Sequence, residues 1–327
     1  MEDTPQPIIP TSEPKTAMTL SSRQIRIMAA AAAAVLGVAL GYFVWYKPSR
    51  PDMVLASSMM KSLQAESAAF QVDSIGADKQ AAALSAKGSF STKGAFGFSG
   101  SYSNTSGKLG FDVRSSDGQD IYAKFSGLDG LPGLLGSGAS QYGISQQQNP
   151  FKSLENTWLT IPKTAKDTLL KDSRVGAAPT QLSDKDKRAI AEAYQKNAFL
   201  HVSKIAADEA IDGVASRHYE VTVDKARLKA FAAEIQTKVP SLASNAKQLQ
   251  SVKGSELPAR PVDVWLAKDN GYITQIKYYE SQSQSGYQLR LSKFNQPVNI
   301  AKPANAKPFF EALSSAVFSG LQAPIIQ

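Results

Sequence analysis

The sequence predicts an α+β fold: a mostly antiparallel, curved sheet covered by a few helices and preceded by one transmembrane helix. Three observations carry this. Ile27 to Tyr46 is a run of 20 residues without a charge. From Ala83 onward, apolar residues alternate with small or polar ones between Ser, Gly and Asn clusters, the signature of antiparallel strands with one buried face. No strand–helix–strand rhythm or internal repeat appears, which disfavours a parallel nucleotide-binding sheet.

Residues 1–24 are rich in Pro, Ser and Thr without an apolar period and are expected to form a disordered cytoplasmic tail. Residues 25–46 form the expected membrane helix. At about 1.5 Å per residue, the uncharged run reaches roughly 30 Å, the thickness of a bilayer core. Val35, Leu36, Val38, Leu40, Phe43 and Val44 drive insertion, and Tyr42, Trp45 and Tyr46 suit the headgroup layer. Pro48 and Pro51 stop the helix. Val54-Leu55-Ala56 has the small-residue spacing of a signal-peptide cleavage site, but Lys47, Pro48, Arg50 and Pro51 separate it from the apolar run. The expectation is an uncleaved signal anchor at the cell membrane, N-terminus cytoplasmic, with residues 47–327 as one exported domain.

Within that domain, Asp52 is placed to cap a helix in which Leu55, Met59, Leu63 and Phe70 recur at near-helical spacing. Strands follow around Phe96/Phe98, Leu109/Phe111/Val113 and Ile121/Ala123/Phe125, with turns at Asn104–Gly107 and Ser115–Gly118. Their glycines permit strong coiling or the close approach of a ligand or helix. Gly127 to Gly143 is a Gly- and Leu-rich loop holding Leu131, Leu134 and Leu135. It reads either as a connection whose leucines plug the domain or as a lid over an apolar opening. Trp158 to Ile161 is a strand ended by Pro162. Ser183 and Asp186 form a capping box for a helix through Asn197 with Ile190 and Tyr194 on one face. Phe199–Ile205 and Ser216–Val223 make a hairpin around Asp212-Gly213. Asp224 caps a helix with Leu228, Phe231 and Ile235 inside. Val262–Leu266 and Tyr272–Tyr279 flank Asn270-Gly271, whose residue types suit the two positive-φ positions of a type I′ turn. Tyr287–Phe294 is a last strand, and Phe309–Leu321 a last helix.

Composition narrows the chemistry. There is no Cys, so disulfides, thiol nucleophiles and Cys-ligated metals are excluded. The net charge is +8, and the three basic and three acidic residues before the apolar run cancel, so the charge belongs to the exported part. It is dispersed, without the basic stripe and interleaved aromatics of a nucleic-acid binder. His201 and His218, on successive strands and possible cross-strand neighbours, read as ordinary strand residues rather than metal ligands. No Gly-x-Ser-x-Gly elbow or phosphate-cradling loop occurs. The expectation is a non-enzyme with no catalytic residues, metal or cofactor.

The second half resembles a known family. Arg217-His218-Tyr219-Glu220-Val221-Thr222-Val223-Asp224, an amphipathic helix, then Val262-Asp263-Val264-Trp265-Leu266 with Asn270-Gly271-Tyr272-Ile273 are similar to bacterial LolA-like and LppX-like lipoprotein carriers. Phe294-Asn295-Gln296-Pro297-Val298-Asn299-Ile300 followed by Pro303 extends the likeness, which covers roughly residues 150 to 310. The resemblance implies an unclosed half-barrel with helices across its open side and an apolar cavity for acyl chains. Two departures matter: the chain lacks a lipobox Cys, and its membrane helix tethers it. Two functions stay open. One is a membrane-anchored extracytoplasmic module binding a lipid or other hydrophobic ligand in a cavity lined by Phe96, Phe98, Phe111, Ile121, Phe125 and Trp158, with Leu131, Leu134 and Leu135 as lid candidates. The other is a non-catalytic surface interaction or structural domain whose interior is packed. No protein partner is identified.

Overall fold

The computed structural model describes residues 51–76, 83–130, 149–162, 182–252, 258, 260–280 and 285–321. The expected cytoplasmic tail, the membrane segment Ile27 to Tyr46 and Leu131, Leu134 and Leu135 lie outside them. Among the described residues no helix is long and apolar enough to cross a membrane.

One unclosed sheet organises the domain. In chain order its strands are β1 (Ser67–Ile75), β2 (Ala83–Ser91), β3 (Phe96–Asn104), β4 (Gly107–Ser115), β5 (Ile121–Ser126), β6 (Leu159–Ile161), β7 (Leu200–Ile205), β8 (Glu209–Ile211), β9 (Val214–Val223), β10 (Val262–Ala267), β11 (Ile273–Tyr279), β12 (Gly286–Ser292) and β13 (Lys307–Pro308). Their spatial order is β13-β6-β5-β4-β3-β2-β1-β12-β11-β10-β9-β7, with β8 alongside β9. Every pairing is antiparallel except β13 with β6. That exception has a cause in the chain path. After β12, residues 293–306 run along one end of the sheet. There Asn295 N–H donates to Ser67 O (2.8 Å), Ile300 lies against Gly97, and Lys302 sits over the Tyr122 ring. The chain therefore reaches β6 from outside, running in the same direction.

Local sequence explains most elements. Asn104 Oδ1 accepts from the N–H groups of Ser106 and Gly107, and Ser115 Oγ from Gly118 N–H, which closes the two expected turns. Gly88 and Gly100 are required where β2 and β3 approach: a Cβ on either falls against the facing strand's backbone. The closeness is between strands, so these two glycines are not openings for a ligand. The turn at Asn270-Gly271 differs from the expected type I′, because only Gly271 has positive φ (69°). Asn270 Oδ1 instead accepts from Tyr272 N–H, and Gly271 N–H reaches back to Ala267 O.

Helix α1 (Pro51–Gln64) crosses β9–β12, burying Leu55 and Met59 against Val264, Ile276 and Leu291. Asp52 does not cap it. Its carboxylate accepts from Val202 N–H on β7 (2.6 Å), while Ser62 Oγ accepts from Ile273 N–H (2.9 Å), so α1 is pinned at both ends. Nor does the helix reach Phe70. Glu66 N–H donates to Asn295 Oδ1 and Ser67 Oγ to Gln296 O, drawing the chain into β1. Helices α2 (Asp184–Lys196) and α3 (Lys225–Lys238), with the caps read from the sequence, pack with α4 (Ala243–Ser251) around Phe199, Phe231 and Val239. At the other edge α5 (Phe309–Leu321) covers β6 with Leu128, Leu154 and Ala316.

Candidate functional site

Side chains alternate along a strand, and direct cross-strand partners share a face. The register therefore sorts the sheet into two faces. Phe70 faces Leu291 on one side and Gly88 on the other; Gly88 faces Phe98, Phe98 faces Val113, and Phe111 lies between Gly100 and Phe125. The result is an aromatic strip across β1–β5 on the face that α1 and α5 cover at its two ends. Ring centroids are 6.4 Å apart for Phe70–Phe98, 6.3 Å for Phe96–Phe98 and 6.0 Å for Phe98–Phe111. Phe70 borders the cluster under α1, and Phe125 the cluster under α5. Phe96, Phe98 and Phe111 belong to neither, and all three are half-buried.

The structure thus brings five of the residues singled out from the sequence onto one face: Phe96, Phe98, Phe111, Ile121 and Phe125. Trp158 is the correction. Leu159 points to the apolar face, so its predecessor points away. The Trp158 ring lies under Arg114 (4.8 Å) and Lys124 (4.9 Å) on the polar face. Phe70 was missed, because it falls seven residues after Leu63 and so extended the helical period. The signal that finds it is the alternation of Ala68, Phe70 and Val72.

The opposite face is mostly polar, with Tyr122, Trp158 and Trp265 among its large rings. One row of cross-strand partners reads His218, Trp265, Gln275, Arg290, Gln71, Lys87, Ser99, Asp112, Lys124. Over β1–β5 this face holds a hollow of about 600 Å³. At the other end His218 stacks on Trp265 (centroids 4.1 Å, planes 13° apart) and bonds Asp263 through Nε2 at 2.8 Å. His201 faces Thr222 and His218 faces Trp265, so the two histidines are not cross-strand neighbours. Trp265 is buried, and among the described residues its Nε1 has no hydrogen-bond partner. Among the described residues no group of three or more His, Asp or Glu side chains is arranged to hold a metal ion.

The large, unclosed, mostly antiparallel sheet with helices on one face is an α+β architecture of the half-barrel kind expected from the LolA-like and LppX-like resemblance. Among solved structures the chain is similar to the lipoprotein LppX of Mycobacterium tuberculosis, at 15% identity over 76% of this chain and 97% of that one, TM-score 0.38. A domain described as an outer membrane lipoprotein-sorting protein from Vibrio parahaemolyticus matches at 10% identity over 76% and 93%, TM-score 0.23. Both likenesses concern the fold alone. No family model matches the chain, and no curated protein matches it.

Proposed function

We propose that the chain is a membrane-tethered extracytoplasmic module that holds a lipid or another apolar ligand against the aromatic strip, without catalysing a reaction. The observation that carries this is the position of Phe98 and Phe111. They lie between two sealed clusters, on the apolar face, and stay half-buried. Large aromatic side chains supply much of the apolar area in cores and interfaces, so a strip of them left unsealed is a surface suited to hydrocarbon. Each acyl CH₂ buried there contributes roughly 0.8 kcal/mol, so a dozen carbons partly covered suffice for firm retention. The uncharged run Ile27 to Tyr46 supports the tether.

The test uses the full chain in nanodiscs and a lipid with a photoreactive group midway along its acyl chain. Cross-links are expected on peptides containing Phe98 and Phe111. Replacing both by Ser lowers that labelling about tenfold, the equivalent of roughly 1.4 kcal/mol of lost apolar contact. Labelling confined to residues 27–46, with β1–β5 untouched, rejects the ligand site and leaves a tethered module without a ligand.

A further inference from the structure

We propose that the polar face of β1–β5 carries a second site, independent of the aromatic strip, for an anionic sugar: a monosaccharide unit bearing a phosphate or carboxylate. The hollow of about 600 Å³ is lined by Gln71, Lys87, Ser99, Ser101, Lys124 and Ser126, among others. That volume lies in the range of sites for single small ligands. Phe111 and Phe125 also border it, but their rings belong to the other face, so no acyl chain finds apolar side chains here.

The space has a sequence origin. One row of cross-strand partners, Ser85, Ser101, Gly110 and Ser126, carries only small side chains. The next row carries the long ones, Gln71 and Lys87 on one flank and Lys124 on the other. Small and long rows side by side make a trough with tall walls.

Two features select the ligand. The first is unused hydrogen-bonding capacity. Among the described residues, nothing bonds the hydroxyls of Ser99, Ser101 and Ser126 or the ammonium of Lys87. Each hydroxyl offers one donor and two acceptor positions, the same inventory as a sugar's own hydroxyls. The second is unbalanced charge. Of the described residues, two carboxylates stand at the wall: Arg114 holds Asp112 through both oxygens, at 3.0 and 2.8 Å, and Asp73, next to the hollow, accepts from Gln71 Nε2 at 2.7 Å and Ser85 Oγ at 2.8 Å. Among the described residues, Lys124 has only the face of Trp158. Among the described residues neither Lys87 nor Lys124 makes an ion pair, and the two stand three strand spacings apart, about 14 Å between Cα atoms. Long lysine stems let an anion held between them reach at least one ammonium. A divalent cation is the wrong ligand, because both nearby carboxylates already accept hydrogen bonds through both of their oxygens. A neutral sugar leaves both charges unused.

The experiment is calorimetric titration of the full chain in zwitterionic phosphatidylcholine nanodiscs with glucose 1-phosphate, glucuronate, glucose and inorganic phosphate. Both anionic sugars are expected to bind, with glucose and inorganic phosphate at least about tenfold weaker. The double variant K87Q/K124Q weakens glucose 1-phosphate by about tenfold or more. Ser101→Tyr fills the trough and abolishes its heat, while an unchanged urea midpoint reports an intact fold. If Ser101→Tyr does not fold, the lysine pair, on exposed or half-exposed positions, decides. Absence of heat with every probe overturns the proposal, as does equal affinity for inorganic phosphate and sugar phosphate, or binding unaltered by K87Q/K124Q. Including phosphatidylinositol in the nanodisc separates two sources of the same chemistry. Competition with glucose 1-phosphate identifies a lipid headgroup, and none identifies a soluble or polymer-borne sugar. Because the aromatic strip is tested by cross-linking and the trough by heat, either site can fail without the other.

Discussion

Two halves of one sheet follow the same rules of pairing and end in different states. In β10 the four consecutive residues Val264, Trp265, Leu266 and Ala267 are all buried, as are Ile273 through Ile276 in β11. Both faces are therefore covered there, one by α1. Across β2, β3 and β4, Ser115 at the very end of β4 is the single fully buried residue. Backbone pairing is continuous through both halves, so hydrogen bonding does not separate them. Side-chain volume does. Runs such as Val-Asp-Val-Trp-Leu-Ala fill the space between sheet and helix, whereas Phe-Gly-Phe-Ser-Gly-Ser-Tyr spaces its rings with glycine and serine. The lesson is that a finished sheet is not a finished core. The C-terminal half is a frame, and the N-terminal half presents two unfinished faces, one aromatic and one polar.

The largest expected effect tests that division directly. Trp265→Ala in the frame costs about 3–5 kcal/mol, the range for removing a large buried aromatic. Phe98→Ala, on a half-buried ring, costs less than about 2 kcal/mol because part of its surface is already in water. Urea unfolding of the two variants gives both numbers. Equal losses would mean that Phe98 stands in a closed core, and the aromatic strip would lose its standing as a ligand surface.

A second prediction strikes the frame through pH. Tyr194 on α2 packs edge-on to Phe199 and near Phe231. Burial first, and the Asp52 carboxylate second, push its hydroxyl up to about 12 from the ordinary 10.0, while a backbone hydrogen bond with Leu200 opposes them. A raised value in the folded state means that the fold favours the neutral phenol. Its contribution is complete below pH 10 and is lost as pH climbs from 10 to about 12. The loss amounts to about 2–3 kcal/mol. Subtracting the stability profile of Tyr194→Phe from that of the native chain should isolate this step. Superimposable alkaline profiles would place the phenol in water rather than in the core.

How much of this was written in the sequence depends on the range of the contacts responsible. The strands β3–β5, the capping box at Ser183 and the cap at Asp224 were legible because their causes lie within a few residues. The end of α1 was not, since it is set by Asn295 and Gln296, each 229 residues from its partner. The parallel β13 depends on a crossing that no periodicity records. Helix α4 escaped because it is short and buries only Ala246 and Leu249. For the candidate site, alternation placed five apolar residues on one face. It misplaces Trp158, whose position just before Leu159 gives its ring the opposite parity and so the polar face. The polar trough left its trace in Lys87, Ser99, Asp112 and Lys124, which become neighbours only after four strands are put in register.

The smallest effect concerns what seals the frame. Trp265 Nε1 is buried without a hydrogen-bond partner among the described residues. An unsatisfied buried donor costs about 1–3 kcal/mol, so Trp265→Phe removes that penalty while it also removes part of a ring from a packed site. The two changes oppose each other. The phenyl ring keeps a flat face for His218, which stacks on the indole, and for Lys277, which lies 4.9 Å from its centroid. The net change is expected to stay within about 1 kcal/mol, against the several lost in Trp265→Ala. That ratio, read from urea midpoints, decides whether the C-terminal half is held by shape or by a polar contact. If Phe at this position costs as much as Ala, the indole N–H is engaged in the folded protein. The frame would then share with the trough a dependence on polar recognition, and the contrast between the halves would narrow to the aromatic strip.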